Sequence, residues 1–78
     1  MAHTHTIASA GWLVSVRPIQ EGSEPIHYAA AFKHADEAEL AVVDSPEGRG
    51  KRVLILRSLN VIEMMHLRMK PGEIRRHD

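Results

Sequence analysis

Apolar and polar positions alternate twice near the start of the chain, and then the period changes. In the stretch 11–17, Trp12, Val14 and Val16 fall on one side and Leu13, Ser15 and Arg17 on the other. This period of two predicts a strand, and Pro18 ends its regular pairing. A polar turn with Gly22 and Pro25 follows. The stretch 26–33 alternates again, with Ile26, Tyr28, Ala30 and Phe32 opposite His27, Ala29, Ala31 and Lys33. It reads as a second strand, pairing with the first as a hairpin.

Spacing becomes helical after residue 35. Asp36 followed by Glu39 fits a capping box, the acids suit the positive end of a helix dipole, and Ala38, Ala41 and Val42 form a stripe. Asp44-Ser45-Pro46 closes this helix. The unbroken apolar run 53–56 predicts a third strand. Ser58 is the expected N-cap of a second helix whose core stripe is Leu59, Ile62, His66 and Met69, with Met65 beside it and Pro71-Gly72 as its stop. Met64 falls off that stripe and is expected to be exposed.

The order β-β-α-β-α implies an α+β fold, a two-layer α/β sandwich. Its three-stranded mixed sheet would carry two short helices on one face. Residues 10–74 form the expected domain, between a flexible N-terminal tail (1–9) and a basic C-terminal tail (75–78). The other sheet face is then open, lined by Leu13, Ser15, Arg17, His27, Ala29, Ala31 and Lys33 or by the opposite set. An uncovered, partly apolar face calls for a partner.

Length sharpens that expectation. A chain of 78 residues buries only about 60% of its unfolded surface, and a core of that size supplies roughly 3–5 kcal/mol. There is no cysteine, which removes disulfides and thiolate metal sites. Packing or self-association must therefore supply the stability, and zero net charge favours association. A homodimer is the expectation. No apolar run approaches the ~18 residues of a membrane span, and no secretory leader pattern precedes Ala8-Ser9-Ala10. The expected protein is soluble and cytoplasmic.

The zero net charge conceals a segregation. Residues 1–48 hold two basic and seven acidic residues, net −5, and residues 49–78 hold eight basic and three acidic, net +5. Such asymmetry marks an anionic partner or an attraction between the two halves. The candidate contacts for nucleic acid or another anion are Arg49, Lys51, Arg52, Arg68, Lys70, Arg75 and Arg76. Within them, Gly48-Arg49-Gly50-Lys51-Arg52 has the cations and glycines to cradle a phosphate. It lacks the P-loop spacing and precedes a strand instead of a helix. The only aromatics, Trp12, Tyr28 and Phe32, lie in the acidic half and read as core, so no stacking platform accompanies the cations.

Other chemistry is thin. Glu63-x-x-His66 occurs once, whereas a di-iron bundle needs two copies and further carboxylates. His3-Thr4-His5 suits adventitious copper or nickel. No serine sits in a nucleophile elbow. The expectation is therefore no catalytic residues, no cofactor and no metal. The chain is expected to act as a protein-interaction or self-association module, with Met64, Ala29 and Ala31 at the contact. The alternative is nucleic-acid binding through the basic half.

Overall fold

The computed structural model describes residues 7–20 and 22–77. Its elements are β1 (Gly11–Arg17), β2 (Ile26–Ala30), α1 (Ala35–Asp44), β3 (Arg52–Leu59), α2 (Val61–Leu67) and β4 (Ile74–Arg76). The fold is α+β. The sheet has four strands in the order β3-β1-β2-β4, in place of the three expected. Every pairing in it is antiparallel, so it is not mixed. The added strand, β4, lies where a tail was expected. Its pairing with β2 is extended by the Ala31 N–H to the Glu73 carbonyl at 2.9 Å and the His77 N–H to the His27 carbonyl at 2.8 Å. At the other end the Ala8 N–H donates to the Met69 carbonyl at 2.8 Å and Ala8 is buried, so packing begins inside the segment read as tail. His3-Thr4-His5 lies outside the described residues.

The helices lie on opposite faces of the sheet, not on one. Adjacent strand residues point to opposite faces. Val14, Val16 and Ala30 pack with Ala38 and Val42 of α1, whereas Ala29, Ala31 and Leu59 pack with Met64 and Met69 at α2. One apolar cluster thus lies on each side. The crossover from β2 through α1 to β3 passes over β1, which pairs with both. All three aromatics belong to the α1 side and are partly buried there.

Small residues make room for the helices. On the α2 side a Cβ at Gly11 would come within 2.7 Å of the Met64 sulfur, so Gly11 and Ala29 leave the space that Met64 fills. On the α1 side, Gly48 packs against the helix terminus. α1 begins after His34, which makes no side-chain cap, and Asp36 accepts only from the Glu37 N–H. The expected capping box with Glu39 is not formed. Its end is firmer, because Ser45 donates both its N–H and its hydroxyl to the Val42 carbonyl, at 3.1 and 2.6 Å. A Cβ at Gly48 would run into that same carbonyl oxygen. Backbone cannot yield as a flexible side chain can, so Gly48→Ala is expected to destabilise the fold by about 2 kcal/mol or more, measured by urea denaturation. A change below about 0.5 kcal/mol would contradict this close approach.

Candidate functional site

α2 starts two residues later than Ser58 suggests, because β3 continues through Leu59. Asn60 is the N-cap. Its side chain accepts from the Glu63 N–H at 2.8 Å, and the Glu63 carboxylate accepts from the Asn60 N–H at 3.0 Å. This reciprocal capping box satisfies two amides that a helix start leaves unpaired. The same carboxylate accepts from both terminal nitrogens of Arg57 on β3, each at 2.8 Å. One side chain therefore ties the helix start to the strand that delivers it. At the other end Arg68 adopts a left-handed conformation, φ 50°, and its N–H donates to the Met64 carbonyl. This stops the helix after seven residues and returns Met69 to the core.

The cap and the strand pairing together fix which side of α2 faces inward. Met64 is 1% exposed, and Leu67 packs beside it. Val61 and Ile62 are each 67% exposed, and Met65 is 65% exposed. The expected interface residues are therefore corrected. Met64 is core, packed over Ala29 and Ala31, which are themselves buried. Ile62 and His66, expected inside, face out. Val61, Met65 and Arg68 border a hollow of about 430 Å³ whose opposite wall is Ile7, Ala8 and Ser9. This solvent-facing apolar surface, with His66 and Arg68 at its rim, is the candidate functional site.

The cations do not converge. Arg49 and Lys51 lie in the turn before β3. Three of the amides there are already committed, with Gly48 and Arg49 N–H donating to the Ser45 carbonyl and Lys51 N–H to the Gly48 carbonyl, all at 3.0–3.1 Å. These three are not free to cradle a phosphate. Arg68 is the left-handed residue that ends α2, and Lys70 is in the loop after it. Arg75 and Arg76 sit on β4, at the sheet edge opposite β3, and point to opposite faces. Arg75 is held by Glu73 at 2.7 Å and by the Leu67 carbonyl. The Glu73 carboxyl is lowered in pKa by the Lys70 N–H and then by Arg75.

Arg52 alone of the seven meets another cation in register, Arg17, its β1 partner. Both are exposed, and no carboxylate among the described residues pairs with either. They border a hollow of about 410 Å³ with Ser15 and Leu54, beyond the part of the sheet that α2 covers. His27 continues this row from Ser15 on β2. Strand alternation had already placed Ser15, Arg17 and His27 on one face; the bulge between Leu13 and Val14 in the β1–β3 register, which decides what β3 adds, has no sequence signal. Among the described residues no three metal-ligating side chains group together, and Glu63 of the Glu-x-x-His pair is occupied by Arg57 and Asn60.

No helix among the described residues is long and apolar enough to cross a membrane. Compared with protein-family models, curated proteins and solved structures, the chain matches none.

The Glu63 carboxyl is lowered to about 2, chiefly by the Arg57 guanidinium and then by the Asn60 N–H. Because its folded pKa lies below its unfolded value, its contribution to stability is complete above the ordinary carboxylate range. That contribution is lost as pH falls towards about 2. Carboxyl chemical shifts should show Glu63 titrating near that value, with amides of residues 61–64 losing protection in the same window. Titration at an ordinary glutamate pKa near ~4.3 would show that the Arg57–Glu63–Asn60 cluster is not formed.

Proposed function

We propose that this protein is a small binding module of the cytoplasm that docks a protein surface, in the first instance a second copy of itself, on the outer side of α2. The carrying observation is the exposure of Val61, Ile62 and Met65 on a helix whose other side buries Met64 with Leu67 beside it. A seven-residue helix gains little stability from its own length. Three adjacent apolar side chains left in water on so short an element are what a docking surface requires. The hollow beside Ile7 offers a recess for an anchoring side chain.

Nucleic-acid binding is less well supported. The cations are spread over both edges and both faces of the sheet, and Arg57 and Arg75 are engaged by carboxylates. The aromatics face α1, so the sheet face that carries Arg17, Arg52 and Arg75 has no ring on which a base can stack.

Sedimentation of the chain across a dilution series tests the proposal. The average mass should rise with concentration, and Met65→Glu should hold the chain at monomer mass while leaving its thermal midpoint within about 3 °C, as expected at an exposed position. Equal association of wild type and Met65→Glu would refute α2 as the contact, and a monomer at every concentration up to about 1 mM, where binding is worth only ~4 kcal/mol, would refute self-association.

A further inference from the structure

The molecule carries a second outward apolar surface, on α1. Ala38 and Val42 face the sheet, leaving Leu40 63% and Val43 40% exposed one turn apart on the other side. Asp36, Glu37 and Asp44 surround them, all exposed and, among the described residues, unmatched by any salt bridge. α2 presents the counterpart. Its outer apolar residues are rimmed by His66 and Arg68, and its one acid, Glu63, is turned aside to Arg57. Each surface is apolar at its centre, and their rims have opposite polarity.

We propose that the α2 surface receives α1 of a second copy, so that copies join head to tail; this rests on the self-association proposed above. Pairing like with like is disfavoured on both helices. Two α1 surfaces would oppose Asp36, Glu37 and Asp44 to their own copies, and two α2 surfaces would oppose Arg68 to Arg68. Like charges brought together at an interface are costly, whereas complementary potentials fix the partner and its orientation. The sheet separates the two helices, since the α1 and α2 clusters occupy its opposite faces. One pair of copies cannot satisfy both surfaces at once. An α1–α2 contact is therefore heterologous and leaves an unused α2 at one end and an unused α1 at the other. Assembly should continue past the dimer in proportion to concentration, in place of stopping at a two-fold pair.

Two exposed-site variants and their mixture decide the matter. Leu40→Lys puts a cation against the basic rim of the receiving α2, and Met65→Glu puts an acid against the acidic rim of the incoming α1. Lys and Glu are good helix formers, and matching amide spectra of each variant below the association range show that both remain folded. In sedimentation each variant alone should associate at least about tenfold more weakly than wild type, a change of ~1.4 kcal/mol. An equimolar mixture should regain association, because the α1 of the Met65→Glu chain and the α2 of the Leu40→Lys chain are both intact. Wild type should show species beyond dimer. Unimpaired association of Leu40→Lys, a wild-type plateau at dimer, or a mixture no better than its components would overturn the head-to-tail contact. The first two of these leave α2 self-association standing, whereas a monomeric wild type removes both.

Discussion

The carboxylate of Glu63 is the point on which the candidate surface of α2 depends. It accepts from the Asn60 N–H, completing the cap of α2, and from two nitrogens of Arg57, anchoring that cap to β3. Had the helix begun at Ser58, Leu59 would leave the sheet. It would then lose its place opposite Gly11 and its contact with the Met64–Met69 cluster. The cap instead lets β3 run to Leu59 and turns Met64 into the space above Gly11 and Ala29. Ile62 and Met65, on the far side of the same turn, are left in water.

The sheet sorts the charge that the sequence segregates. The acids of α1 lie outside one face, and Arg17, Arg52, Arg57 and Arg75 project from the other by strand alternation. Segregation along the chain is thus carried only in part across the sheet. Arg76, on the α1 side, and Arg49, whose guanidinium donates to the Asp44 carbonyl at the end of α1, are exceptions. The partition explains how a neutral chain presents two unlike surfaces, and it underlies the directional association proposed above. β3, although an edge strand, is poorly suited to edge pairing. It carries Arg52 and Arg57 and opposes β1 through an irregular register, both of which discourage another strand from joining.

Much of the fold was legible because the period was strong. β1 spans the predicted residues, β2 shares the predicted start, and the N-cap of α1 is His34, two residues before the expected Asp36. β4 was not legible, since Ile74-Arg75-Arg76 offers one apolar residue and no alternation; it becomes a strand only because β2 has an open edge to pair with. The side of α2 was misread for an instructive reason. Leu59 and Met69, the two ends of the apparent helical stripe, are indeed buried, but neither is helical. Leu59 is buried as a strand residue, and Met69 as the residue after the left-handed turn at Arg68. Without them, the helix itself offers Met64 with Leu67 on one side and Ile62 with Met65 on the other. Hydrophobicity does not choose between these. The Asn60–Glu63 box does, and its signature was present in the sequence beside the competing Ser58.

The three methionines around this turn report the choice directly. Limited oxidation by hydrogen peroxide at low protein concentration, followed by fragment mass spectrometry, resolves Met64, Met65 and Met69. Sulfoxide formation follows exposure of the thioether, and the three are 1%, 65% and 0% exposed. Met65 should oxidise at least about tenfold faster than either neighbour. Faster oxidation of Met64 than of Met65 would mean that α2 turns its other side to the sheet, and the surface described for binding would then be core.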